Sequence, residues 1–151
     1  MSGPLVTEVP ASAVIDLRHR VLREGRPRET AIWEGDDAAS TKHYALTLSD
    51  RVLAIASVMA APFPDRSTPT AQLRGMAVDP DHQGQGLGST LLRGIQDVHK
   101  ALWCNARLHA VAFYERHGWT VQSERFEVPL VGPHVRMVWL SDAGSQSTAR
   151  P

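Results

Sequence analysis

The chain predicts a mixed α/β fold, with six or seven strands in one sheet and helices on both faces, and three observations lead there. Stretches with two-residue apolar alternation interleave with stretches of helical spacing, the pattern of a sheet covered by helices. The segment Val52 to Ala60 is apolar on both faces, as a strand inside a covered sheet must be. A glycine run, Gln83-Gly84-Gln85-Gly86-Leu87-Gly88, stands between a strand and an amphipathic helix.

Taken in order, Leu5 to Val9 reads as the first strand. After Pro10, the spacing of Val14, Leu17 and Val21 predicts a helix with Arg18 and Arg20 outward, ending near Gly25. Arg26 to Thr41 mixes Gly, Pro, charges and one Trp without a period, which predicts a long loop holding a short helix. Tyr44, Leu46 and Leu48 alternate, the turn Ser49-Asp50-Arg51 follows, and Val52 to Ala60 completes a hairpin. A Pro-rich connection, Ala61 to Pro69, leads to a strand from Thr70 to Asp79 that Pro80 stops. Leu87, Leu91, Ile95, Val98 and Leu102 predict a helix, Leu102 to Ala106 a short strand, and Arg107 to His117 a further helix with Gly118 as its C-cap. Strands over Val121 to Val128 and Val135 to Leu140 close the sheet.

The 151 residues fit one domain, residues 1–140, followed by a tail, 141–151, too poor in apolar groups to pack. Sixteen basic and sixteen acidic residues cancel, so no field recruits nucleic acid or an anionic membrane. The single cysteine, Cys104, excludes an internal disulfide and a thiolate metal cluster, and points to a reducing, cytoplasmic setting. No stretch approaches a membrane span, and the seven histidines lack paired ligand spacing, so neither a membrane nor a metal is expected.

The glycine run is the strongest chemical signal. Unpaired first-turn amides and a positive helix end suit a phosphate. A P-loop would need a Lys before the Ser or Thr, whereas Gly88 runs straight into Ser89. A dinucleotide fingerprint would need an early strand and an acid about 20 residues later, and the run instead lies past mid-chain.

The stretch LRGMAVDPDHQGQGLGSTLL, Leu73 to Leu92, resembles the acetyl-CoA-binding motif of the GNAT N-acetyltransferases: Gln or Arg, two variable residues, Gly, one variable residue, then Gly or Ala. Gln83, Gly86 and Gly88 match its three fixed positions, and Phe113-Tyr114-Glu115-Arg116-His117-Gly118-Trp119 resembles the family's later helix. Within that family, Asp16 to Arg23, Ala106 to Tyr114 and Gly132 to Met137 are similar to the ElaA-type subgroup. One position departs: where many members carry an Asn seven residues before the tyrosine, this chain has Arg107.

The resemblance implies the acyl-CoA N-acyltransferase fold and transfer of an acetyl group from acetyl-CoA to a primary amine. It implies backbone pairing of Met76, Ala77 and Val78 with the pantetheine, and a pyrophosphate held by Gln83, Gly84, Gln85, Gly86, Leu87, Gly88 and Ser89. Tyr114 falls at the general-acid position, able to protonate the departing thiolate. For the base, Glu34, His43, Glu127 and His134 are candidates, with His134 leading as base or acceptor contact because Pro133 fixes the backbone before it. Cys104 reads as a packed small hydrophobe, Trp33 and Trp119 as core or acceptor pocket, and Arg74 as a partner for an acidic acceptor or a surface carboxylate. The acceptor is a small-molecule or peptide amine of unspecified identity, and homodimerisation stays open, since members commonly pair. The rival readings are a non-catalytic CoA-binding sensor of the same fold and a nucleotide-binding module.

Overall fold

In a computed structural model that describes residues 3–141, the chain packs as two compact units, Met1–Ala60 with Leu73–Ile95 and Ala61–Gln72 with Gln96–Pro151. The tail expected from Ser141 to Pro151 lies, after its first residue, outside the described residues.

The first unit opens with β1 (Leu5–Val9), a 3₁₀ turn over Ala11–Ala13 and α1 (Ile15–Leu22). A second 3₁₀ turn, Arg28–Ala31, is the short helix expected in the long loop. Then come β2 (Lys42–Leu48), β3 (Arg51–Ala60), most of β4 (Ala71–Val78) and most of α2 (Leu87–Val98). The hydrogen-bonded order is β1-β2-β3-β4. Ser49 and Asp50 both take positive φ, 51° and 64°, the two-residue turn whose twist matches an antiparallel hairpin.

Neighbouring residues of β2 show why helices cover both faces here. Ala45 pairs with Ile55 and joins Val14, Ile15 and Leu17 of the α1 side in one buried cluster. Leu46 points the opposite way and pairs with Val6. Val6 lies so close to Gly94 of α2 that a Cβ there would come within 3.0 Å of its side chain.

In the second unit, Gln72 at the start of β4 pairs in parallel with Trp103 of β5 (Ala101–Arg107). A 3₁₀ turn, Leu108–Ala110, and α3 (Val111–Glu115) follow. β6 (Thr120–Val121) and β7 (Phe126–Val128) both pair antiparallel with β8 (Gly132–Leu140), which also pairs antiparallel with β5. Trp119 is the bulkiest wholly buried side chain, and its indole N–H donates to Gln96 Oε1 at 2.9 Å. Gly118, with φ 90°, turns the chain after α3 as a C-cap glycine should.

Four local expectations change. Arg18 is completely buried rather than outward; it stands four residues after Val14 and three before Val21, on the apolar stripe itself. The helix of Leu87 ends at Val98, and Leu102 belongs to β5, because the run Ala101 to Cys104 is needed in the sheet. The predicted helix Arg107 to His117 contracts to a 3₁₀ turn and five residues of α3. The predicted strand Val121 to Val128 divides into β6 and β7, which raises the strand count among the described residues to eight. At that break the Ser123 hydroxyl accepts from Arg136 N at 2.8 Å, so a side chain replaces a ladder carbonyl.

Among the described residues no helix is long and apolar enough to cross a membrane, and no three His, Cys, Asp or Glu side chains converge as a metal site would require.

Candidate active site

Gln83 to Gly86 of the glycine run form the exposed link that leads from β4 into α2, and Leu87 and Gly88 are already helical. Before it, buried Asp79 caps the 3₁₀ turn Pro80–His82 by accepting from Asp81 N at 2.9 Å. That backbone hydrogen bond holds the Asp79 carboxyl below its usual range; burial opposes the shift, and hydrogen bonds from Arg20 and His82 with the Arg20 charge reinforce it. Gln83 donates its amide N–H to Val78 O at 3.2 Å, tying the run back to the strand end. Gly84 and Gly86 adopt φ of 81° and 79°, and a Cβ on either would meet nothing within 4 Å. These glycines are therefore required by backbone conformation, and the space beside them is open. Gly86 O accepts the first helical bond, from Thr90 N at 3.0 Å, so the amides of the first turn of α2 follow the open run directly. Met76, Ala77 and Val78 lie at the C-terminal end of β4, immediately before this turn.

A second cluster in the same unit escaped the sequence reading. Arg18 reaches from α1 into the long loop, donating through Nη1 to Asp36 Oδ2 at 2.7 Å and to Ala31 O at 2.8 Å. Its Nη2 donates to Asp36 Oδ1 at 3.3 Å and Ser57 Oγ at 3.2 Å. Ser57 in turn lies 2.6 Å from His43 Nδ1, and His43 Nε2 lies 2.9 Å from Asp36 O. A carbonyl only accepts, so Nε2 carries the proton and Nδ1 accepts from the Ser57 hydroxyl. Both ring nitrogens of His43 are thus engaged within the fold. Burial pushes the Asp36 carboxyl up, but hydrogen bonds from Arg18 and from Trp33 N, with the charges of Arg18 and Arg74, bring it below its ordinary value.

Trp33 completes the cluster. Its ring packs under the Arg18 guanidinium, 3.9 Å from ring centroid to Cζ, and its N–H groups bond Asp36 Oδ2 and Thr30 O. Gly75 of β4 has φ 68°, and a Cβ there would come within 3.0 Å of the Trp33 ring. Trp33 is accordingly half-buried against the β4 backbone, whereas Trp119 is core. Arg74 meets a buried carboxylate rather than the surface one expected, donating to Asp36 Oδ1 at 3.1 Å, and it also donates to Glu34 O at 2.7 Å. Glu34 contributes only its carbonyl to these bonds; the residue itself is exposed.

In the second unit Tyr114 is buried, with 8% exposure, and its phenol hydrogen-bonds the Cys104 thiol. Burial first, and the thiol second, push Tyr114 well above the ordinary phenol range, so it keeps its proton at neutral pH. Burial also pushes up Cys104, which suits a packed thiol rather than a nucleophile. His134 lies inside β8, buried, its ring 5.9 Å from that of Phe126. Its Nδ1 lies 2.9 Å from Gly132 O and therefore donates, which fixes the tautomer in which Nε2 offers a lone pair when the ring is neutral. Glu127 is exposed, 3.8 Å from Arg125 in a surface ion pair.

A family model described as the acetyltransferase (GNAT) family matches residues 13–119. The chain belongs to the GNAT family, and it is an acyltransferase. Among curated proteins it is 31% identical, over 140 residues, to the uncharacterized N-acetyltransferase YitI of Bacillus subtilis, covering 87% of this chain and 93% of that one. Among solved structures, Escherichia coli ElaA superposes with TM-score 0.74 at 19% identity over 91% of this chain and 99% of ElaA. An aminoglycoside 6'-N-acetyltransferase complexed with coenzyme A superposes with TM-score 0.68 at 11% identity, over 90% of this chain and 96% of that one. At such identities the two structures establish the shared fold.

Proposed function

We propose that this GNAT protein transfers the acetyl group of acetyl-CoA to the primary amine of a small molecule or peptide, by direct attack within a ternary complex. The observation that carries the reading is the open glycine run at the N-terminus of α2, whose two left-handed glycines leave backbone amides unobstructed for a pyrophosphate. Gln83, Gly84, Gln85, Gly86, Leu87, Gly88 and Ser89 hold that group, and the backbone of Met76, Ala77 and Val78 pairs with the pantetheine arm. Because amides and a helix dipole supply the attraction, a neutral protein binds a strongly anionic co-substrate without a basic surface.

Acetyl-CoA supplies an activated acyl group; the protein manages two protons. A lysine-like amine with pKa about 10.4 is about 0.04% neutral at pH 7, so a proton acceptor is needed. His134 Nε2 is the nitrogen assigned that role, as base or acceptor contact. Tyr114 is assigned the proton to the leaving thiolate from its place in the motif that resembles the family's later helix; burial makes its phenol a weaker acid than usual, so the assignment rests on that place and not on the shift. The reading sets the reaction in the cytoplasm, where a lone buried thiol stays reduced.

The deciding experiment is thermal unfolding with acetyl-CoA, ATP and NAD in parallel. Stabilisation by acetyl-CoA alone, about 2.7 kcal/mol at 100 times the dissociation constant, is expected. Stabilisation by ATP or NAD but not CoA would overturn the reading, and binding without transfer to any amine would leave a CoA sensor. Tyr114→Phe is expected to lower turnover about 100-fold or more with acetyl-CoA affinity retained.

A further inference from the structure

The cluster on β4 is unbalanced in charge and in hydrogen bonds, and both imbalances fall on Arg74. Three guanidiniums surround Trp33, with Arg18, Arg23 and Arg74 carbons 3.9, 5.0 and 5.5 Å from the ring centroid. Of these, Arg18 and Arg74 share one buried carboxylate, Asp36, and Glu34 beside Arg74 is exposed to solvent that screens it. Asp36 is saturated, since its two oxygens accept from both Arg18 Nη atoms, from Arg74 Nη2 and from Trp33 N. One buried carboxylate is therefore divided between two guanidiniums, and Arg18 holds the shorter bond, 2.7 Å against 3.1 Å. Burial and the Arg18 charge push the Arg74 guanidinium below its ordinary value.

Arg74 Nε is buried and has no hydrogen-bond partner. A buried donor left unmade costs about 1 to 3 kcal/mol, so the guanidinium is under-satisfied; Nε itself is closed to solvent, and an acceptor from outside the chain would meet the part of the side chain that stays exposed. Arg18 Nε is likewise unpartnered, but it sits where a Gly75 Cβ would lie 3.3 Å away, closed over by Trp33. Arg74 differs in keeping 18% of its side chain exposed. It also stands two residues before Met76, on the strand whose end carries the acyl donor in the proposed function.

Resting on that reading, we propose that Arg74 binds an oxyanion, carboxylate or phosphate, carried by the amine acceptor, so that the substrate class is the anionic amine rather than the polyamine. The planar guanidinium suits such a group, and its surplus positive charge disfavours a polycationic acceptor. Arg74 is then a specificity-determining residue, and the Arg18–Asp36 pair is what holds the loop that fixes its position.

The test is acetyl transfer by the full chain, followed as thiol release, on matched acceptors: α-amino acids against their primary amides, and phosphoethanolamine against ethanolamine. The wild type is expected to prefer one or both charged members by about 10- to 100-fold in kcat/KM, the two pairs separating carboxylate from phosphate. Arg74→Ala is expected to collapse that ratio through KM, with the acetyl-CoA melting shift retained; Arg74→Lys, which keeps the charge but loses the fork, falls between. If Arg74→Ala does not fold, Arg74→Lys carries the test through its partial loss of the ratio. The proposal is overturned if the wild type prefers the neutral members or polyamines, if it acetylates neither member of either pair, or if the variants slow both members of a pair equally. Failure of the parent reading shows separately, as no stabilisation of the wild type by acetyl-CoA.

Discussion

The glycine run and the Arg18 cluster lie in one unit and use opposite means. The run is exposed, made of backbone, and leaves room where side chains are missing. The cluster is made of side chains, and it shows how four polar residues, Arg18, Asp36, His43 and Ser57, can stand in a core when nearly every donor has an acceptor. Conformation is the requirement at Gly86, where a Cβ would meet nothing within 4 Å; space is a second requirement at Gly75, where the Trp33 ring is 3.0 Å away. A ligand site tolerates emptiness, whereas a buried charge pair does not tolerate the loss of a partner.

The largest effect follows from that last statement. Asp36→Ala leaves Arg18 buried with no carboxylate, and removing one partner of a buried pair costs about 3 to 5 kcal/mol. Urea unfolding is the measurement. Arg18→Met with Asp36→Leu removes both charges and is expected to recover most of the loss, as apolar replacement of a buried pair commonly does. The same contact is visible in pH. Asp36 titrates lower in the folded chain than in the unfolded one, so its contribution is complete above about pH 4 and disappears as pH falls through the folded value. The stability gap between wild type and Asp36→Ala should therefore hold constant from pH 8 to about pH 5 and narrow below about pH 4. A gap that stayed constant down to pH 2 would remove the ion pair from the explanation.

A smaller change tests the run. At Gly86 an added Cβ finds open space but a left-handed backbone, so Gly86→Ala is expected to cost about 1 to 2 kcal/mol of stability. In the proposed function it also weakens acetyl-CoA, since relaxing φ turns the amides away from the phosphate. Gly75→Ala carries the same conformational cost and adds a contact with Trp33, so it should be the more destabilising of the two by thermal melting.

The two regions also differ in how far they could be read from residues alone. Three glycines in five residues, before a helix of Leu87, Leu91 and Ile95, concentrate the signal in one short stretch, and the run stands where it was expected. The cluster is scattered over positions 18, 36, 43, 57 and 74, each a polar residue that reads as surface by itself. Only Arg18 carries a local hint, since its spacing from Val14 and Val21 puts it on the apolar face; its charge argues for solvent, and in the fold period outweighs charge. The double use of Leu102, in a helix and in a strand, has a similar origin: a short apolar run satisfies both periods, and only pairing with Trp139 of β8 decides. Ser123 interrupting a strand depends on a hydroxyl finding Arg136 N across the sheet, which no local pattern encodes.

The smallest expected effect separates a carboxylate that is merely near in sequence from one that is built in. Glu127 was a candidate base, yet it stands on β7 opposite Pro133, and its ion pair with Arg125 has both side chains about two-thirds exposed at 3.8 Å. A pair so solvated contributes at most about 0.5 kcal/mol, because water and salt screen it and two mobile side chains must be ordered to form it. Glu127→Gln should melt with the wild type and turn over amine acceptors at the wild-type rate across the pH profile. A lowered kcat with a displaced acidic limb would instead return Glu127 to the chemistry and take the base away from His134. Asp36 and Glu127 bear the same kind of charge; the difference in cost between losing them, about six- to tenfold in free energy, is set by the water that one has and the other lacks.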